Sequence, residues 1–367
     1  MLIFIFKKFL IPILASIMVF VFFDHNAFLY KEPIAQITAV QNSKAVNLTD
    51  SLKNQDLEIT QKLNLRLLNT SKSGSTLYLS NIAIRSQVSS QIYTEGQQVL
   101  LTKTKTGYQI FSLKRDAVVA ALAILLIGLI FSFINWSFSI YLLLSLGFNL
   151  LLFLLTLFLD LKFSGLTLPL FLGLAIAFAA SSLFFVLGRG RQYFLTLIST
   201  LGSTSLTFLF CLCLLSLTNF SGIHFENLNY VTQSPETFFF ISASISVLGA
   251  IMDGCSDIVA GLMALQRQNP KISSRQYFKS GLLIGREITG TLTNVLFMIF
   301  MAECLPLTLL LIRNAYSWSS ILQTAFNLGL LQSLISAIGI LLSVPITAGL
   351  SSYFLQSRSH LKQKEAL

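Results

Sequence analysis

Between residues 117 and 350 the chain passes through seven apolar stretches: 117–134, 138–159, 166–187, 193–218, 238–265, 280–305 and 321–350. Each is near or above the ~20 residues whose helix crosses the hydrocarbon core of a bilayer. The last is long and contains Pro345, which predicts a tilted or kinked span. A further apolar run, Phe9 to Phe23, follows Lys7 and Lys8 and meets Asp24 with no small-x-small cleavage site. It predicts an uncleaved signal anchor, short enough that Lys7 and Lys8 snorkel to the surface.

Residues 31–115 follow a different rhythm. Apolar and polar positions alternate in Leu63-Asn64-Leu65-Arg66-Leu67 and in Leu77-Tyr78-Leu79, with related patches at Val99-Leu100-Leu101 and Tyr108-Gln109-Ile110. Ser73-Gly74, Glu95-Gly96 and Thr106-Gly107 punctuate them. Half-buried strands and tight turns give that pattern, so a small β-barrel or sandwich of roughly five or six strands, of OB-like size, is predicted. The predicted organisation is an anchor (1–30), a β domain (31–115), a seven-span bundle (116–355) and a basic tail (356–367). The fold class is a polytopic α-helical membrane bundle of about eight spans, the anchor included, with a small extracytoplasmic β domain.

Composition agrees. Of 367 residues, 54% are apolar, only 11% are charged and 32 are Phe, and mean hydropathy is +0.74. A soluble protein carries roughly a quarter charged residues, so the solvent of most of this chain is lipid. The net charge of +10 does not point to nucleic acid, because the basic residues are spread over the soluble segment and short loops with no basic and aromatic patch. Arg189, Arg191, Arg267, Lys271, Arg275, Lys279 and the tail residues Arg358, Lys362 and Lys364 fall on one side of the spans. The loop from Asn219 to Thr237 on the other side has neither Lys nor Arg. The positive-inside rule then puts both termini in the cytoplasm and residues 31–115 outside. All four cysteines lie in apolar runs, and Cys211 and Cys213, two apart, face different ways on a helix, so no metal site is expected.

Two spans carry chemistry. The sixth contains Asp253 and Asp257, four apart on one helical face that continues backward through Gly249, Ser246 and Ser242. Small residues at that spacing let another helix approach closely. A charged Asp at bilayer depth costs about 2.5–3.5 kcal/mol, so these two need a partner, a proton or water, unless Asp257 snorkels to the interface. The seventh span brings Arg286, Glu287, Gly290, Thr291 and Asn294 into one sector, with Gly285 beside them. Arg286 falls near the depth of Asp257, and pairing it with Asp253 or Asp257 would offset much of the desolvation. Such a pair serves equally as glue between helices or as the lining of a solute or ion path. Asn149 is expected to bond a neighbouring helix, and His224 has no evident partner.

The run Gly249-Ala250-Ile251-Met252-Asp253, followed by Gly285-Arg286-Glu287-Ile288-Thr289-Gly290-Thr291 and Asn294, resembles the signature of the YibE/YibF-like bacterial membrane proteins. That resemblance implies an anchor, an outer β domain and a permease-like bundle in a bacterial cell membrane. Because some members lack the outer domain, it also implies a paired membrane subunit of the same family. The second acid, Asp257, departs from the family's apolar continuation, so its role rests on helix geometry alone.

A transporter of a small solute or ion is the leading expectation. In it, Asp253 binds a proton or cation and Arg286 alternately pairs with it, while Asp257, Glu287, Thr291 and Asn294 line the path. The alternative is a non-transporting assembly or sensor protein whose outer domain binds a ligand or partner. No metal cluster, phosphate loop or nucleophile constellation is present, and the two acids share a helix rather than facing each other. Neither catalysis nor a cofactor is expected.

Overall fold

The computed structural model describes residues 2–364 apart from positions 52, 71–72, 88–89, 106, 164, 228–233 and 270–271, with side chains from 8 to 355. Thr106 and Lys271, and the side chains of Lys7, Arg358, Lys362 and Lys364, on which parts of the turn, snorkelling and charge-bias readings rest, lie outside the described residues. The chain divides into two compact units, Met1–Ser139 and Ile140–Leu367.

The first unit begins with helix α1 (Leu2–Asp24) and ends with α2 (Asp116–Phe133). Between them run β1 (Ile34–Asn42), β2 (Val46–Thr49), β3 (Gln55–Leu67), β4 (Thr76–Ile84), β5 (Gln98–Thr104) and β6 (Gly107–Leu113). All six strands join one antiparallel sheet. Strand β3 takes β1 and the short β2 on one edge and β4 on the other, and β1 leads on to β5 and β6.

The period-two leucines of β3, Leu63, Leu65 and Leu67, point into one core with Ala35, Ile37, Val99 and Leu101. Leu77 and Leu79 from β4 reach the same core as Tyr108 and Ile110 from β6. Strands at opposite ends of a sheet meet this way only if the sheet coils around its own apolar face. Among the described residues no ladder joins β4 to β6, so an open coiled sheet replaces the expected barrel or sandwich. The reason lies in β3, which at 13 residues is long enough to carry strands that a sandwich would divide between two layers. A register break between Ile37 and Ala39 adds bend to β1.

Gln61 is fully buried in this sheet, and its amide is fully used. It donates to Asn42 Oδ1 and Tyr93 O, each at 3.0 Å, and accepts from the Tyr93 amide at 2.9 Å and from Asn81 at 3.1 Å. Four good bonds offset the cost of burying the polar group and tie the segment around Tyr93 across the core.

Helices α1 and α2 form a close hairpin. A Cβ on Gly128 would stand 2.9 Å from Pro12 Cβ, so glycine is needed for the approach. Ser16 donates to Ala121 O at 2.8 Å and Ser132 to Lys8 O at 2.6 Å. At the sheet end Asp116 gathers three side chains. Tyr30 donates to it at 2.6 Å, Asn26 at 3.2 Å, and the Lys114 ammonium lies 3.3 Å away.

Burial first, and then the Asp116 carboxylate, push the Tyr30 phenol up to about 12 from its usual 10. A folded-state value above the unfolded one means that this contribution to stability is whole below pH 10. It fades as pH rises through about 12. Absorbance at the phenolate band should therefore show one tyrosine titrating near 12, moving part of the way back toward 10 in Asp116→Asn; a midpoint unmoved by that substitution would remove Asp116 from the account.

The second unit contains α3 from Ile140 onward (helix Trp136–Lys162), α4 (Thr167–Leu187), α5 (Arg191–Leu217), α6 (Pro235–Gln268) and α7 (Ser274–Arg313). A single turn α8 (Trp318–Ile321) and a π-helical turn, Leu322–Phe326, lead into α9 (Asn327–Lys364). Seven helices, α2 to α7 and the stretch Trp318–Leu355, are long and apolar enough to cross a membrane. Their outer faces keep large apolar side chains uncovered, such as Leu151, Phe158 and Met298, as expected where lipid is the solvent. This is a membrane protein.

The seven helices overlie the seven expected stretches, with differences at the ends. Ser273 and Gln276 form a capping box that starts α7 early, and the helix runs through Pro306 to Arg313. Helices α6 and α9 are the most enclosed, each with half of its most apolar window buried. Glycine makes part of that packing: a Cβ on Gly281 would lie 2.7 Å from Ala348 Cβ, and one on Gly285 would collide with both methyls of Val344.

Candidate functional site

Helix α5 presents Thr196, Ser199, Thr200, Ser203 and Thr207 at helical spacing, and all five are 0% exposed. The stripe rises about 16 Å along the helix. Facing it, α9 buries Ser336, Ser343, Thr347 and Ser351 along about 22 Å. The two helices run antiparallel in register. The methyl of Thr207 lies opposite Gly339, and four residues back on α5 the Ser203 hydroxyl reaches the level of Ser343. Helix α6 packs against both, with Val247 and Ile251 at Gly339 and, one turn further on, the fully buried Cys255. Its Sγ is 3.1 Å from Thr347 Oγ1, and the hydroxyls of Thr200, Ser203 and Ser343 surround the same thiol.

Buried hydroxyls in membrane helices commonly donate to a carbonyl one turn back on their own helix. Thr207 does so to Ser203 O at 2.7 Å, and Ser343 bonds Ile340 O at 2.8 Å. Thr200 and Ser203 have only the weak Cys255 thiol to turn to, and the oxygens of Thr196, Ser199, Ser336 and Ser351 have no hydrogen-bond partner. Unmet capacity costs roughly 1–3 kcal/mol for each buried group, so four such hydroxyls along one seam, with two more met only by a thiol, set a polar column into an apolar bundle. No charged side chain of this bundle is fully buried among the described residues.

The acids and the guanidinium singled out from the sequence lie elsewhere. Asp253, Asp257, Arg286, Glu287, Thr291 and Asn294 are all exposed. On α6, residues 251, 254, 255, 258 and 259 turn inward, so Asp253 and Asp257 share the opposite, uncovered side. Helices α6 and α7 are neighbours, with Gly261 against Ile284 and Gly254 near Leu292. Among the described residues, however, no ion pair joins Arg286 to Asp253 or Asp257. Arg286 is held off because the side of α7 toward α9 is taken by Gly281 and Gly285, which turns the polar residues away from the bundle.

Of the small residues expected at helix contacts, Gly285 is packed hard against Val344. Ser242 is exposed, Ser246 is half-buried, and a Cβ on Gly249 or Gly290 would meet nothing within 4 Å. Asn149 bridges α3 and α4, donating to Ser182 at 2.7 Å and accepting from Ser181. His224 does have a partner, Glu226 Oε1 at 2.8 Å. Cys211 is buried and Cys213 exposed, on different sides of α5.

The hydroxyl column escaped the sequence reading although its spacing is legible in Thr196-x-x-Ser199-Thr200-x-x-Ser203-x-x-x-Thr207. Ser and Thr barely lower the hydropathy of a span, so they attract less notice than a carboxylate. No curated protein and no solved structure matches the chain. The YibE/F-like protein family matches residues 122–357, which include the column and the acid face alike. The YibE/F family N-terminal domain matches residues 28–113, the coiled sheet and its approach. The chain therefore belongs to the YibE/F family.

Proposed function

We propose that this protein is a permease that carries a small solute across the cell membrane along the α5–α9 seam. The observation that supports it is the column of buried hydroxyls with unmet hydrogen-bonding capacity, running through most of a bilayer's thickness. A solute passing along such a wall exchanges its water hydrogen bonds for hydroxyl ones, which keeps the barrier of desolvation low. In the same reading α1 is an eighth span, both termini are cytoplasmic and the coiled sheet is outside, following the distribution of Lys and Arg. No bond is made or broken, so the protein is not an enzyme.

The outward acid face of α6 has a different part. Asp253 falls near the middle of that helix, where a carboxylate against lipid costs about 2.5–3.5 kcal/mol. Open space at Gly249 and Gly290 leaves room for another helix to approach. We assign this face to a paired membrane subunit of the same family.

Flux through reconstituted vesicles separates the two surfaces. The wild-type chain should raise permeability to glycerol or K⁺ above that of protein-free vesicles. Ser203→Val, which puts apolar bulk into the column, should abolish the gain, while Asp253→Asn should leave it in place. The opposite result, loss with Asp253→Asn and none with Ser203→Val, would move the path to the outer face.

A further inference from the structure

We infer that the column selects uncharged, hydrogen-bonding solutes of glycerol or urea type and rejects ions, and that the Cys255 thiol stands at its selective point. This rests on the permease reading above. The wall offers hydroxyls that donate and accept equally well, from Thr196, Ser199, Thr200 and Ser203 on one side and Ser336 and Ser351 on the other. A neutral polyol or amide presents the same mixture of donors and acceptors, so each of its groups can find a partner at every level.

An ion cannot be matched in this way. Among the described residues the bundle fully buries no carboxylate, ammonium or guanidinium side chain that would balance its charge, the half-buried Asp160 standing near the end of α3. Helix α5 contains no proline, α6 has one only at its first residue, Pro235, where no helical bond is lost, and the only proline of α9, Pro345, is exposed, so backbone carbonyls along the wall stay committed to their helices. Paths that strip an ion of its water replace the hydration shell with rings of carbonyl oxygens or charged side chains. Neutral hydroxyl dipoles alone leave most of that desolvation uncompensated. The carboxylates that could have served a cation, Asp253 and Asp257, lie on the far side of α6 from Cys255.

Cys255 adds the constriction. It reaches from α6 to α5 and α9 one turn beyond the apolar Ile251, and four hydroxyl-bearing residues, Thr200, Ser203, Ser343 and Thr347, converge on it. Its thiol is a weak donor and weak acceptor, so a solute passing this level relies on the hydroxyls gathered around it.

The test uses the full chain with Cys211, Cys213 and Cys304 replaced by Ser, leaving Cys255 as the single thiol. In vesicles, glycerol and urea entry is followed by light scattering, and K⁺ and Cl⁻ movement by a potential-sensitive dye. Glycerol or urea entry should exceed that of protein-free vesicles, with no ion movement. Methylthiolation of Cys255 by a small neutral thiosulfonate should return entry to the protein-free rate, and the same treatment of a Cys255→Ser version should leave entry unchanged. Ion movement blocked by the same modification would overturn the selectivity and leave the permease reading standing. No movement of any of the four probes in a folded wild-type chain would overturn both. Glycerol entry untouched by complete modification of Cys255 would remove the thiol from the path.

Discussion

Thr196→Val, Thr200→Val and Ser203→Ala combined should raise the thermal stability of the protein while abolishing its flux. Valine has nearly the shape of threonine and alanine nearly that of serine, so the fit between α5 and α9 changes little. What is removed is three buried hydroxyls, that of Thr196 without a partner and those of Thr200 and Ser203 met only by the Cys255 thiol. Each unmet group costs roughly 1–3 kcal/mol in a protein interior. Measured side-chain hydrogen bonds between membrane helices average nearer 0.6 kcal/mol, so a combined gain of about 2–4 kcal/mol is the reasonable scale. At ~2–4 °C per kcal/mol for a unit of this size, the melting temperature in detergent should climb by several degrees.

Ordinary polar glue between helices behaves the other way. If the hydroxyls bonded across the α5–α9 seam, their removal would lower the melting temperature and leave flux to whatever path exists elsewhere. A thermal shift assay together with the vesicle measurement reads both signs on one protein. Stability falling with the substitutions would sink the column as a path. A gain in stability at the expense of activity is the pattern expected where a protein keeps a polar site that its fold would discard.

The second large effect concerns Gly285. Glycine in the middle of a helix is usually a weakness, and replacing it with alanine ordinarily stabilises by about 0.5–1 kcal/mol. Here the sign should reverse. A methyl at this position would run into both methyls of Val344 and approach its Cβ at 3.0 Å, and a β-branched residue inside a helix has almost no freedom to turn aside. Helix α7 would have to move away from α9, at an overpacking cost of about 1–3 kcal/mol. Gly285→Leu should prevent folding altogether. The remedy is specific: Val344→Ala in the Gly285→Ala background should recover most of the loss, because it clears the space the new methyl needs. A double-mutant cycle by thermal unfolding measures the coupling. Additive effects would mean that the two helices do not meet as described. Gly290→Ala serves as the contrast. Its Cβ position is open, so the same substitution one turn further on should be neutral or mildly stabilising in the isolated chain.

Much of this architecture was legible in the amino-acid order. The seven apolar stretches became seven helices because a segment surrounded by lipid must satisfy its own backbone, and a helix does so within one segment. The alternation at Leu63, Leu65 and Leu67 became a strand with one buried face, since side chains two apart share a side. Whether the sheet would close was not legible. Closure depends on pairings between β4 and β6, which lie far apart in sequence and are not specified by either strand's own pattern.

The functional residues divide along the same line. That Asp253 and Asp257 share a face, as do Thr200 and Ser203, follows from helical spacing and needs no structure. Which of those faces turns inward is a property of neighbours. Helix α6 meets α4, α5, α7 and α9 over its other sides, leaving the acids uncovered, while α5 turns its hydroxyls to α9.

The sequence by itself determined a lipid solvent, the seven long apolar helices, a stranded segment before them and the chemical types available on each helix face. Those are consequences of local composition and of periods of two and 3.6, which a single segment carries within itself. Only the tertiary structure decided that serines and threonines, not carboxylates and arginine, occupy the interior of the bundle. That choice is made by close packing: Gly281 and Gly285 bring α7 against α9, and Gly339 of α9 lets α5 approach at Thr207, so the small hydroxyl face of α5 is the one that turns inward.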